Sequence, residues 1–142
     1  MVQVRGTVSE KELTNQVVDF ATQCGWKFVH FHDSRRQVSD KQGNRYLIGD
    51  KDARGWPDLY LCHPTRGVVH AELKGSTTPV EPHQIAMLDR LAETALSMAP
   101  QSVPTRRMRV HLWRPDDLPG VIVPVLARGH GPVLYGWGGH GR

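Results

Sequence analysis

Two β-type runs separated by a four-residue turn constrain this chain more than any other feature. Asp58 to His63 and Val68 to Lys74 both read as strands. Between them, Pro64-Thr65-Arg66-Gly67 is turn chemistry: proline presets one backbone angle, and glycine accepts conformations that other residues avoid. The two runs therefore form an antiparallel hairpin. Side chains alternate across a strand, so His70, Glu72 and Lys74 share one face while Val69, Ala71 and Leu73 point the other way into apolar packing. The hairpin brings Asp58 to the same end of the sheet as Glu72 and Lys74.

The rest of the chain supplies elements to pack around that hairpin. Ser9 and Glu12 form a capping box, and Leu13, Val17, Phe20, Ala21 and Cys24 recur at helical spacing up to the stop at Gly25. Trp26 to Phe31 reads as a strand. Pro82 opens a second helix whose apolar face is Ile85, Leu88, Leu91, Ala92 and Ala95. A loop over 99–107 leads to a fourth strand, Met108 to Arg114. Pro115-Asp116-Asp117-Leu118 begins a turn or short helix, and Val121 to Leu126 is a last apolar run. This order of helix, strand, long loop, two strands, helix and strand predicts an α/β domain with a mixed central sheet. Residues 1–127 form a single domain in this reading. The Gly-rich tail over 128–142 cannot bury a core of its own, so it is expected to be mobile or to dock on a partner through Trp137.

A chain of 142 residues with 39% apolar and 23% charged side chains suits one soluble globular domain. No run approaches the ~18 apolar residues of a membrane span, and the first residues show no secretory signal. Cys24 and Cys62 could form one bridge at most, which excludes a disulfide scaffold and a zinc ribbon built from CxxC pairs. The expected setting is the reducing cytoplasm, a host's if the chain is virus-encoded. A net charge of +4 suits contact with a polyanion without establishing it.

Two carboxylates and an ammonium at one strand end are costly unless something offsets the like charges, and a divalent cation would do so. Mg²⁺ takes oxygen ligands, commonly one or two carboxylates with substrate phosphate, and lowers the pKa of a bound water. Asp58 and Glu72 as ligands, with Lys74 beside the water, make a plausible phosphodiester hydrolase.

Pro57-Asp58 followed by Glu72-Leu73-Lys74 resembles the PD-(D/E)XK nuclease signature. More narrowly, the chain resembles the small stand-alone form of the VRR-NUC (virus-type replication-repair nuclease) branch. The supporting pieces, in order, are Ser9-Glu10-Lys11-Glu12-Leu13, Gly25-Trp26, Asp33-Ser34-Arg35-Arg36, Gly55-Trp56-Pro57-Asp58-Leu59, Ala71-Glu72-Leu73-Lys74, Pro82-His83-Gln84 and Trp113-Arg114-Pro115. The resemblance implies a restriction-endonuclease-like core of helix, three strands, helix and strand. It implies Mg²⁺ or Mn²⁺ as cofactor, cleavage of branched or structured DNA such as Holliday junctions to leave 5′-phosphates, and a homodimer. It implies that Asp58, Glu72 and the Leu73 backbone carbonyl bind metal, that Lys74 is the catalytic lysine, and that Gln84 lines the site. A glutamate from the first helix often completes such sites. Glu10 lies beside the apolar stripe and Glu12 is occupied in the capping box, so Glu10 is preferred. The alternative, from another functional class, is a non-catalytic DNA-binding module that retains the nuclease fold.

Two regions depart from the shorter members: the tail, and a polar insertion over about 37–54 that is either a substrate-contacting lid or a loop without a role. A short hairpin around Gln42-Gly43-Asn44 fits within it. Arg35, Arg36, Arg54, Arg106 and Arg107 are candidate DNA contacts; solvation is the plainer reading for the first three, while for Arg106 and Arg107, which cluster with Arg109, contact and solvation stand level. His30-x-His32 would put two imidazoles on one strand face. A structural zinc wants four ligands, and no matching second pair is evident. Ordinary strand residues are therefore favoured, with His32 near the site.

Overall fold

Ser9 opens the first helix through its capping box. In the computed structural model, which describes residues 7–31, 36–48, 54–98 and 108–137 (by backbone alone at 36–38 and 45–48), the Ser9 hydroxyl accepts the Glu12 N–H at 3.2 Å. The Glu12 carboxylate in turn accepts the Ser9 N–H at 3.0 Å. Helix α1 runs Glu10–Gln23 and buries Leu13, Thr14, Val17 and Ala21. Gly25, at φ +85°, then turns the chain into β1 (Lys27–His30). In the polar stretch that follows, β2 (Arg36–Ser39) and β3 (Arg45–Ile48) pair as a separate antiparallel ribbon. Its turn is held by the Asp40 carboxylate, which accepts the N–H groups of Gln42 and Asn44.

The hairpin expected from the Pro-Thr-Arg-Gly turn forms between β4 (Leu59–His63) and β5 (Gly67–Leu73), with Leu59 opposite Ala71 and His63 opposite Gly67. β1 adds to β4, antiparallel. Helix α2 (Pro82–Met98) then crosses over so that β6 (Met108–Trp113) lies parallel to β5. After a 3₁₀ turn over Pro115–Asp117 and a π turn over Leu118–Ile122, α3 (Val123–Arg128) precedes β7 (Leu134–Tyr135), which pairs parallel with β6. The result is an α/β protein with a mixed five-stranded sheet in the order β1-β4-β5-β6-β7.

Two cores hold the helices to the sheet. On one face Leu59, Leu61, Val69, Ala71, Leu73 and Trp113 meet Leu13, Val17 and Ala21 of α1 and Val125 and Leu126 of α3. On the other, Leu88, Leu91, Ala92 and Ala95 of α2 meet Val110 and Leu112 of β6. The alternation expected for β5 is thus observed. Val69, Ala71 and Leu73 enter the first core, and His70 and Glu72 face the α2 side. No helix among the described residues is long and apolar enough to cross a membrane.

The segment after Arg128 corrects the expectation of a loose tail. Gly129, at φ +67°, ends α3; Leu134 and Tyr135 pair with Val110 and His111; and the Val133 carbonyl accepts the Val110 N–H at 2.7 Å. Trp137 is fully buried in the α2 core, and its indole N–H donates to Asp89. It fills the protein's own interior and does not anchor a partner. The partners of this segment are β6 and α2, far upstream, so its own glycines and polarity misrepresent it. Residues 138–142, with His140, lie outside the described residues. Arg109 is also corrected as a DNA-contact candidate. It is buried, and its guanidinium donates to the Arg66 carbonyl at 3.2 Å and to the Gly129 carbonyl, tying the hairpin turn to the end of α3.

His111 is the unexpected core residue. It is fully buried between Trp113 and Tyr135, with ring centroids at 5.3 and 6.0 Å, and among the described residues neither ring nitrogen has a hydrogen-bond partner. Burial, helped by the Arg109 charge, pushes its pKa down to about 3. The unfolded chain takes up this proton near the ordinary 6.5, so stability falls as pH falls from 6.5 toward 3, by at most about 1.4 kcal/mol per pH unit. His111→Phe removes that loss. Between pH 7 and pH 4 the melting temperature of the variant is expected to gain on wild type by on the order of 4 °C per unit. Parallel thermal-melt profiles would show that the imidazole does not titrate this way.

Candidate functional site

Asp58 stands at the entry to β4. Continuing the β4–β5 register by one residue beyond Leu59–Ala71 sets it opposite Glu72, on the face that carries Tyr60 and His70. The segment leading into it is fixed by Gly55, whose φ is +86°. A Cβ there would lie 2.6 Å from the His83 carbonyl oxygen, so this turn packs directly on the first turn of α2.

The contacts converge from this frame. Asp58 Oδ2 accepts the Leu73 N–H at 2.9 Å. In an extended strand the N–H and C=O of one residue leave on the same side, so the Leu73 carbonyl is directed toward Asp58 as well. The Lys74 N–H goes the opposite way, to the Trp113 carbonyl on β6 at 3.0 Å. Lys74 Nζ lies 3.5 Å from Glu72 Oε1, and Gln84 Nε2 donates to that same oxygen at 2.9 Å. Glu72 Oε2 is buried with no donor aimed at it among the described residues. Glu72 is 1% exposed and Lys74 6%, so both charges are withdrawn from bulk water.

Burial first, and the Asp58 charge second, push the Glu72 carboxyl up to about 8 against the opposing pull of Lys74. Burial also raises Asp58, although the Leu73 N–H and Lys74 counteract it. Two close acids of this kind hold a proton as a pair at neutral pH. Glu10, half-buried on the first turn of α1, is raised by burial and by Asp58 and lowered by Lys74 and His30. It is within electrostatic reach of the pair, whereas Glu12 is exposed in its capping box. A recess of about 220 Å³ between the start of α1 and the 75–78 loop has Glu10 in its wall. The Arg114 guanidinium closes the far side of that loop, donating to the Gly75 and Thr78 carbonyls at 2.9 and 2.8 Å.

The structure thus brings together Asp58, Glu72, Lys74 and Gln84, with the Leu73 backbone between them and Glu10 alongside. No three His, Cys, Asp or Glu side chains among the described residues form a ready-made metal cage. What is present is a two-carboxylate set with an unsatisfied buried oxygen, which suits a hard divalent cation that also keeps water and substrate oxygens as ligands. Arg54 is exposed just ahead of Gly55. Arg36 lies on β2 with its side chain undescribed, and Arg35, Arg106, Arg107 and His32 lie outside the described residues. His30, which the sequence marks only as a strand residue, joins Asp58 and Lys74 in bearing on Glu10 through its charge. The signal for it was its place at the end of β1, opposite Leu59 and next to Asp58.

No family model, curated protein or solved structure matches this chain.

The sign of the carboxyl shifts yields a test independent of catalysis. A carboxyl raised to about 8 keeps its proton in the fold and loses it on unfolding between the ordinary 4.5 and 8. The stability it contributes is therefore complete below 4.5 and is lost as pH rises through 8. Glu72→Gln cannot lose it. In chelator, the unfolding free energy of this variant is expected to gain on that of wild type by a margin that widens from pH 5 to pH 8, by up to about 1.4 kcal/mol per unit. A margin that stays constant with pH would refute the raised carboxyl.

Proposed function

We propose that the protein is a Mg²⁺-dependent DNA endonuclease with a restriction-endonuclease-like core, akin to the stand-alone VRR-NUC nucleases, that hydrolyses phosphodiester bonds in branched or structured DNA during repair or recombination. The observation that carries this reading is the meeting of Asp58, Glu72, Lys74 and Gln84 at one end of the β4–β5 hairpin, with Glu72 Oε2 left without a donor among the described residues. The succession α1, β1, β4, β5, α2, β6, with the β2–β3 ribbon inserted, supports the core.

Asp58, Glu72 and the Leu73 carbonyl would hold the ion, with Glu10 completing the set. When bound, Mg²⁺ supplies Lewis acidity, lowering the pKa of a water and offsetting charge on the phosphate. The protein's own groups do the positioning. Lys74 Nζ, kept at the site by Glu72, orients the attacking water, and Gln84 fixes the Glu72 carboxylate so that the second oxygen faces inward. The water oxygen forms a bond to phosphorus and releases a proton to solvent, the P–O3′ bond breaks, and the 3′ oxygen takes up a proton from solvent, leaving 3′-hydroxyl and 5′-phosphate ends. A homodimer would present two such sites to a junction.

The test is cleavage of junction, flap and plain duplex DNA with and without Mg²⁺. Cleavage of branched substrates is expected with Mg²⁺ or Mn²⁺ and not with chelator. Asp58→Asn should abolish cleavage, and Lys74→Ala should slow it by about a hundredfold or more. Full activity of Lys74→Ala, or in chelator, would overturn the mechanism. Binding without cutting in both metals, indifferent to Asp58→Asn, would identify a non-catalytic DNA-binding module instead.

A further inference from the structure

Among the described residues, no helix packs on the α2 side of the half of the sheet beside the carboxylates. Helix α2 covers β6 there, whereas the segment entering β4, strand β1 and the residue after it carry apolar side chains that are partly exposed. Trp56 is 38% exposed, Phe31 46% and Val29 50%. Register explains the grouping. Val29 is opposite Tyr60, Tyr60 is opposite His70, and the Phe31 N–H donates to the Asp58 carbonyl at 2.7 Å, so strand alternation sets Phe31 on the Val29 side of the sheet. The rings are packed in a fixed relation. His70 lies 5.2 Å from Tyr60, edge-on, and 6.1 Å from Trp56.

We infer that this face stacks an unpaired nucleobase of the DNA strand whose phosphate lies at Asp58 and Glu72. The inference rests on the proposed nuclease reading for the identity of the strand. Three observations favour a base over another occupant. The face is continuous with the carboxylate site, since Trp56 precedes Asp58 by two residues and His70 precedes Glu72 by two on the same strand face. Its exposed members include an indole and a phenyl ring, which offer π-faces to any base without selecting a sequence. Lys27, on the same side of β1 as Val29, and Arg54, just before Trp56, are both exposed and set positive charge on either flank, as a polyanionic strand requires and an apolar protein surface does not. A base held here must be unpaired, which selects single strands, flaps and junction centres over intact duplex.

Trp26, Trp113 and Trp137 are buried, so among the four tryptophans exposed-indole fluorescence reports Trp56. The full chain is titrated in chelator, where nothing is cut, with a thymidine oligonucleotide and with an abasic strand of equal length and charge. Quenching and loss of acrylamide access are expected with the thymidine strand and not with the abasic one. Trp56→Ala should bind the thymidine strand about tenfold more weakly and the abasic strand equally, with Trp56→Phe recovering most of the difference. Equal binding of the two strands with unchanged emission overturns the inference even if the protein cuts DNA. Trp56 already shielded from acrylamide in a DNA-free dimer also overturns it, because a second copy then covers the face. Quenching by thymidine from a protein that cuts nothing upholds stacking and removes the nuclease reading alone.

Discussion

The pairing of β4 with β5 is the interaction on which the rest depends. Because Leu59 is opposite Ala71, Asp58 falls opposite Glu72, and because the side-chain period of a strand is two, both carboxyls emerge on one face. A slip of one residue would send Asp58 into the core packed by α1 and bring Leu59 beside Glu72. The register is fixed from the other side by the same rule. Leu59, Leu61, Val69, Ala71 and Leu73 fill the α1 core, and each would be lost to water by that slip, at about 1.5–3 kcal/mol for each large side chain. The apolar face thus specifies the polar one.

The site is also where local energetics run against stability. Two acids meet, one of them nearly shut off from water, and among the described residues a glutamate oxygen is left without a donor. Such a cluster persists because the framework around it is over-determined. β5 is hydrogen-bonded on both sides, the Leu73 N–H is spent on Asp58, and the Lys74 N–H is spent on β6. Helix α2 contributes Gln84 and accepts the close approach of Gly55, and Arg114 pins the loop that follows Lys74. Unpaired buried polar atoms and like charges held together in this way are a mark of functional sites, where groups await a ligand that the fold itself does not contain.

Most of this could be read in the residues because the determinants are local. The capping box needs only Ser9 and Glu12, the hairpin needs its Pro-Thr-Arg-Gly stretch, and the face of Glu72 follows from counting along one strand. Glu10 could be separated from Glu12 because one helix turn sets their directions. The failures share the opposite property. Trp137 and the β7 strand find their partners on α2 and β6, and the Arg109 guanidinium donates hydrogen bonds to the carbonyls of Arg66 and Gly129, all distant in sequence. Composition describes what a segment can do alone, and a short Gly-rich segment that docks on an existing sheet edge is decided by that edge. His30 was obscured for the same reason: its relation to Glu10 exists only once β1 has paired with β4 and α1 has packed beneath them.

The two halves of the sheet carry different physical demands. The β5–β6 half is covered on both faces, which withdraws Glu72 and Lys74 from water and strengthens their interactions. Among the described residues the β1–β4 half carries helices only on the α1 side, so the aromatic face of Trp56 and Tyr60 begins where the buried acids end. Asp58 lies on that boundary, with one oxygen on the Leu73 N–H. A strand crossing from the open half to the buried one would move from stacking to electrostatics within two residues of β4. The order of the groups along the sheet, rings first and carboxylates next, is therefore a consequence of where α2 stops covering it.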